Sequence, residues 1–162
     1  MSKLLWPFVL VQQQTAPIIE RFGRYTYTMG PGLNFKIPIL DRVAFTHSLK
    51  EQTLDIDSQS AITADNVKIK IDGVLYFRII DPFKASYNVV DPQLAMSMLA
   101  QTSMRSEIGL LELDRTFEER EYLNTKIKSS LMQAGIKWGI ECLRYEIKDI
   151  KPPDQIRRSM DR

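Results

Sequence analysis

One cysteine, Cys142, and one histidine, His47, are all the chain has of the two side chains that most often carry nucleophilic catalysis and zinc. A lone cysteine excludes an internal disulfide framework and suits a reducing compartment. Too few soft ligands remain for a zinc site. Cys142 lies between Ile140 and Leu143 and reads as a small buried hydrophobe, because a thiol nucleophile needs a nearby base. His47 lies between Thr46 and Ser48 in an extended segment and reads as a surface or edge histidine. As a general base it would need an orienting carboxylate, with Asp41 and Glu51 as the candidates. A small hydrolase using His47 or Cys142 is therefore the competing reading from the enzyme class. The pair Asp55 and Asp57 reads as two solvated acids at a strand end rather than a glycosidase pair, and no segment has the acid and glycine spacing of a magnesium or calcium loop. Gly30-Pro31-Gly32 lacks the lysine and serine of a phosphate loop. No catalytic, metal or cofactor-binding residue is nominated.

Long hydrophobic runs and one-sided charge are missing too. The apolar opening, Met1 to Val11, is about half the ~20 residues a bilayer span requires, and no cationic, Ser-rich presequence or cleavable signal precedes it. Lys and Arg number 22 against 20 Asp and Glu, a formal net charge of +2. Up to Asp81 the balance is 9 against 8, and after it 13 against 12, so neither half is a basic arm. A nucleic-acid surface, for which Lys68 and Lys70 beside strand aromatics would be the place, is not called for.

What is present begins with one segment. From Val67 to Ile79 every odd position is apolar or glycine, while the even ones begin Lys68, Lys70, Asp72. A period of two marks a half-buried strand. Gly73 at its middle predicts a bulge or bend that lets it serve two neighbours in turn. Shorter strands are predicted at Phe8 to Gln13, Pro17 to Phe22, Leu33 to Ile37, Arg42 to Thr46 and Glu51 to Ile56, with a hairpin turn at Asp65-Asn66. Asp91-Pro92 predicts a capped helix reaching Ile108, with Leu94, Ala95, Met98, Leu99 and Thr102 on its buried face. Thr116-Phe-Glu-Glu119 has the capping-box pattern and predicts a helix burying Leu123, Ile127, Leu131, Ala134 and Trp138, ended by Gly139. Arg105, beside the first stripe, reads as a buried ion pair with Glu107 or Glu112, or as a partner contact. A last strand, Leu143 to Ile150, stops at Pro152-Pro153, and Asp154 to Arg162 reads as the start of another helix. A chain of 162 residues forms one domain with a real core. Strands first and helices later give an α+β fold, a mainly antiparallel twisted sheet with helices packed on it.

In this order the motifs resemble the stomatin and prohibitin (SPFH, band-seven) superfamily over nearly the whole chain. They are Glu20-Arg-Phe-Gly-Arg24, Gly30-Pro-Gly-Leu33 leading to Pro38-Ile-Leu-Asp-Arg-Val43, Thr63-Ala-Asp-Asn-Val67, Asp72-Gly-Val-Leu-Tyr-Phe-Arg78 with Asp81-Pro82, and Met104-Arg-Ser-Glu-Ile-Gly109. Ser48-Leu-Lys-Glu51, Tyr87 with Asp91-Pro92, and Trp138 to Ile150 are more similar to the mitochondrial stomatin-like and bacterial paraslipin branch than to erythroid stomatin. The resemblance implies an SPFH-type domain over 13–151, preceded by an apolar segment or first strand at 1–12 and followed by the start of a truncated helix at 152–162. It implies a non-enzymatic, membrane-associated homo-oligomeric scaffold without a cofactor. Such a scaffold organises membrane lipid such as cardiolipin and holds prohibitins and membrane proteases, without nucleic acid. Its place would be peripheral on the mitochondrial inner membrane, or on the bacterial membrane in a prokaryote. Leu4, Leu5, Trp6 and Phe8 are then the expected membrane contacts, since aromatic and aliphatic residues partition into the interface. Two departures stand out. Family members usually carry an N-terminal targeting or membrane-associating segment and a long C-terminal helix, so the chain reads as a core domain or a natural short form. Pro17 stands where the family tends to have an aromatic or aliphatic residue, which weakens the pairing expected of the second strand.

Overall fold

The computed structural model describes residues 6–151. Leu4, Leu5 and the helix start expected at 152–162 lie outside the described residues. In chain order the elements are β1 (Phe8–Val11), β2 (Thr15–Arg21), β3 (Arg24–Thr28), β4 (Gly32–Phe35), β5 (Asp41–Ser48), β6 (Gln52–Ile62), β7 (Lys68–Ile79), α1 (Pro82–Tyr87), α2 (Pro92–Ile108), α3 (Leu113–Glu118), α4 (Arg120–Lys137) and β8 (Ile140–Lys151). The class is α+β and every strand pairing is antiparallel. The strands form three sheets rather than one, in the orders β1-β4, β3-β2-β5 and β6-β7-β8.

The long alternating strand, β7, is the middle of the third sheet. Ile69, Ile71, Leu75, Phe77 and Ile79 are buried against α2 and α4, with Cys142, Tyr145 and Ile147 of β8 beside them. The bend read at Gly73 is real: the register with β8 shifts between Asp72 and Gly73, and again between Tyr76 and Phe77. The glycine is there for packing. A Cβ at position 73 would lie 2.4 Å from the Tyr145 hydroxyl and 2.9 Å from its ring carbon. Tyr145 is fully buried and turns that hydroxyl to the Met104 sulfur of α2. Asn66, with φ 65, supplies the left-handed residue of the turn between β6 and β7.

Asp91 caps α2 as its sequence implies, accepting from the Leu94 N–H at 3.2 Å. The buried face is a different one. Met96, Ala100, Met104 and Ile108, each four residues apart, face β6 and α4, whereas Leu94 and Met98 are more than half exposed. Both stripes are apolar, and only the packed neighbours decide between them. The capping box at Thr116 does not form. Thr116 is buried inside α3 and donates its hydroxyl to the Glu112 carbonyl at 2.9 Å, the i−4 bond that competes with capping. Glu119 instead pairs with Arg115 at the junction, and α4 begins at Arg120. Leu123, Ile127 and Leu131 of α4 are buried as expected, with Gly135 completing the stripe. Arg105 is exposed and makes no ion pair among the described residues.

Three elements lie outside the sequence expectations: β3, the short helix α1, and α3, which begins at Leu113 ahead of the helix start expected at Thr116. Asp81-Pro82 does more than stop β7: Asp81 caps α1, accepting from the Lys84 N–H at 3.3 Å. Pro17 sits inside β2, paired with Thr46 of β5. Its carbonyl accepts from the Met29 N–H, so its missing N–H points toward the same side, just past the end of the β3 ladder at Ile18 and Thr28. No donor is lost from the ladder with β5.

Replacing Gly73 with alanine forces the Tyr145 ring aside and is expected to cost about 1–3 kcal/mol. At about 2–4 °C per kcal/mol for a chain of this size, a calorimetric Tm falls correspondingly. Tyr145→Phe, which removes the nearest atom, makes the double variant less unstable than the sum of the two single ones.

Candidate functional site

The described residues hold no group of three or more His, Cys, Asp and Glu that could bind a metal. Cys142 and His47, the two residues of the hydrolase reading, lie on different strands, β8 and β5. Cys142 is buried in β8, and burial pushes its thiol up to about 11. His47 faces α1, where its Nε2 lies 2.6 Å from Ser86 Oγ. The Ser86 hydroxyl also reaches the Pro82 carbonyl at 2.8 Å; with its proton given there, the serine oxygen accepts from the Nε2–H tautomer of His47. That is the reverse of a base activating a hydroxyl. Asp55, the first of the strand-end acids, is paired with Lys148 at 2.7 Å.

His47 belongs to a joint between the β3-β2-β5 sheet and the rest of the domain. Its ring stacks parallel on Phe45, at 6.2 Å between centroids. Tyr25, Phe45, Phe83 and Tyr87 then meet edge to face or tilted, with centroids 4.7–5.9 Å apart, the arrangement that ring quadrupoles prefer. Tyr87 donates to Glu20 Oε2 at 3.1 Å, and burial with that carboxylate pushes its phenol up to about 12.

The most unusual surface is at the other side of the small sheets. In the register of β1 with β4, Phe8 faces Phe35 and Leu10 faces Leu33. Cross-strand partners share a face, and here all four project outward, each more than half exposed. Val11 turns the opposite way, onto Ile19 and Met29. Trp6, also exposed, continues the apolar face. Of the expected membrane contacts, Trp6 and Phe8 thus lie on one exposed surface. Leu4 and Leu5 are outside the described residues.

Two neighbouring turns add residues that sequence reasoning did not single out. Phe22, between β2 and β3, is 81% exposed at φ 54, and Ile39, before β5, is 76% exposed at φ 75. The two border one hollow of about 360 Å³ with Leu40, Glu20 and Arg42. A β-branched residue in the left-handed region is a true outlier and is strained. What holds it is a buried acid. Asp41 accepts from Arg21 Nε at 2.7 Å and from the Ile37 N–H at 2.9 Å, tying both turns together. The Arg21 guanidinium beside it holds the Asp41 carboxyl below its usual range. The available signal was the pair of apolar residues at turn positions, Phe22 before Gly23 and Ile39 after Pro38.

Acidification weakens the fold in two stages with the same sign. Burial holds His47 below its ordinary 6.5, so its contribution is complete above that value and is lost as pH falls through the lowered one. Asp41 follows below 3.8, for the same reason of a depressed folded value. Urea midpoints against pH are expected to lose the first stage in His47→Gln and the second in Asp41→Asn. Asp41→Asn also costs about 2 kcal/mol at neutral pH, less than a fully buried pair because Arg21 is partly exposed.

Comparison with known proteins agrees with this architecture. The chain matches the SPFH domain / Band 7 family over residues 9–162. It is 54% identical over 152 residues to "Stomatin-like protein 2, mitochondrial" of Homo sapiens, across 94% of this chain and 43% of that protein. To the stomatin-like protein stl-1 of Caenorhabditis elegans it is 49% identical, across 93% of this chain and 46% of the relative. An uncharacterized protein of Archaeoglobus fulgidus is 41% identical, across 93% of this chain and 60% of its own length. The chain spans less than half the length of the two stomatin-like relatives. With the family matched across almost all of the chain and the α+β fold described, this protein belongs to the SPFH (Band 7) family, among its stomatin-like members.

Proposed function

We propose that this domain is the membrane-facing part of a non-enzymatic scaffold, resting on a lipid surface through its apolar end and associating side by side with copies of itself. The observation that carries this reading is the outward set Trp6, Phe8, Leu10, Leu33 and Phe35, with the exposed turn residues Phe22 and Ile39 as further apolar groups. A contiguous exposed apolar surface of this kind marks an interaction site. Arg24, exposed two residues after Phe22, and Arg42, which borders the hollow of Phe22 and Ile39, are the cations nearest these turns, as on proteins that lie in the interface of an anionic bilayer. No described helix is long and apolar enough to cross a membrane; the contact proposed for these exposed residues is peripheral. By likeness to the mitochondrial relatives, the reading extends to the mitochondrial inner membrane, with cardiolipin as lipid and prohibitins and membrane proteases as partners. In a prokaryotic cell the counterpart is the cell membrane. For self-association, the outward stripes of α2 (Leu94, Met98) and α4 (Tyr122, Met132, Ile136) are the available apolar faces.

Flotation with vesicles is the direct test. Trp6→Ala combined with Phe8→Ala is expected to weaken binding strongly while leaving Tm nearly unchanged, since both side chains are exposed; undiminished flotation would refute the contact. Ile39→Gly separates stability from function. Removing the strain of about 1–2 kcal/mol, less the entropy glycine adds in the unfolded chain, keeps or slightly raises Tm, yet flotation decreases.

A further inference from the structure

We infer that the hollow between the β2–β3 turn and the turn before β5 receives part of one hydrocarbon chain of a bilayer lipid, with Phe22 and Ile39 as the inserting tips. This rests on the membrane reading above and specifies which part of a lipid these turns take. The hollow measures about 360 Å³ and is lined by Phe22, Ile39 and Leu40 together with Glu20, Gly23 and Arg42. Phe22 and Ile39 are each more than three-quarters exposed, and each has a positive φ. Glycine or asparagine takes that backbone region readily, so both turns set a bulky apolar residue where sterics and water oppose it. Strain of this kind gathers at ligand clamps. Among the described residues, neither side chain belongs to a buried apolar cluster that would repay it.

The charges of the hollow decide what kind of occupant fits. Arg42 is ion-paired with Glu20 at 3.5 Å, and the other oxygen of that buried carboxylate accepts from Tyr87. The hollow's one cation and one anion thus compensate each other. A charged ligand would have to draw Arg42 away and leave a buried carboxylate uncovered, which is costly. An uncharged hydrocarbon takes nothing away: it covers apolar wall and, by excluding water, strengthens the pair it lies against. Among uncharged occupants, a lipid chain is the one that continues the apolar surface already described. Ile39 follows Phe35, the last residue of β4, by four positions, so one short stretch of chain joins the outward face of β4 to the wall of the hollow. Arg24, exposed two residues after Phe22, offers a cation to headgroups at the same turn.

The test uses the whole chain with Phe22→Trp as reporter and both native tryptophans replaced, Trp6→Phe and Trp138→Phe. Vesicles of phosphatidylcholine and phosphatidylglycerol carry a nitroxide either on the headgroup or partway down one acyl chain. Chain-labelled lipid is expected to quench the reporter about twofold more than headgroup-labelled lipid, because an inserted residue sits about 5–10 Å into the headgroup and acyl boundary. Leu40→Asp, at a partly exposed wall position, is expected to reverse that order while the protein still floats with the vesicles. An unchanged order in that variant would mean that the tips insert without the hollow, and the inference fails. If the headgroup label quenches more from the start, the chain assignment is refuted while the membrane contact stands. If the protein does not float at all, the membrane reading fails as well. Dodecyl maltoside below its micelle concentration provides a test that leaves the wall intact. It is expected to shift the reporter's emission saturably where maltose does not, and equal responses would count against the site. An emission shift that follows protein concentration without lipid, and that vesicles leave unaltered, would assign the hollow to a second copy and overturn the lipid.

Discussion

The contact between the backbone of Gly73 and the ring of Tyr145 sets the centre of this domain. With no side chain at position 73, β8 can come close enough to lay a buried aromatic across β7, and the tyrosine hydroxyl ends on Met104 of α2. One contact therefore ties together the middle strand, an edge strand and a helix. The register shifts on either side of Gly73 follow, since a strand that accommodates a ring over its neighbour's backbone must bend there. The core formed by α2, α4 and the third sheet is built around that geometry.

The small sheets are attached more lightly. Their joint with the larger block runs through α1, a single turn whose Phe83, Ser86 and Tyr87 meet Tyr25, Phe45, His47 and Glu20. Beyond the joint, β1 and β4 bury one face on Ile19 and Met29 and leave the other in the open. The strain at Ile39 belongs to the same economy: a left-handed isoleucine persists only where its surroundings over-determine it, and Asp41 does so by holding Arg21 and the Ile37 N–H at once. The turn that displays Ile39 is thus held by buried polar contacts behind it.

Much of the fold was legible. The alternation along β7, the Asp-Pro cap of α2 and the glycine ending α4 each act through neighbours in the chain, and each is found where the residues imply. The misreadings share one cause. On α2 the residues Leu94 and Met98 have the same spacing as Met96 and Ala100, and periodicity cannot say which stripe meets β6. At Thr116 the capping pattern is correct in letters, but the side chain is buried and bonds within its own turn. The exposed apolar end was half legible. Trp6 and Phe8 stood out as apolar residues near the start of the chain, whereas Leu33, Phe35, Phe22 and Ile39 looked like ordinary strand and turn residues, since a strand pattern does not tell which of its two faces is covered.

The sequence by itself determined the class of the fold, the order of its elements, the family and the poverty of catalytic side chains, because propensities, caps and alternation are local properties of the chain. Only the tertiary structure decided which apolar faces are buried and which are displayed, why position 73 must be glycine, and that Asp41 is buried between Arg21 and the Ile37 N–H. Those depend on what lies opposite each residue in space, and burial, close contact and charge compensation are set by those opposing groups rather than by the residue's own identity.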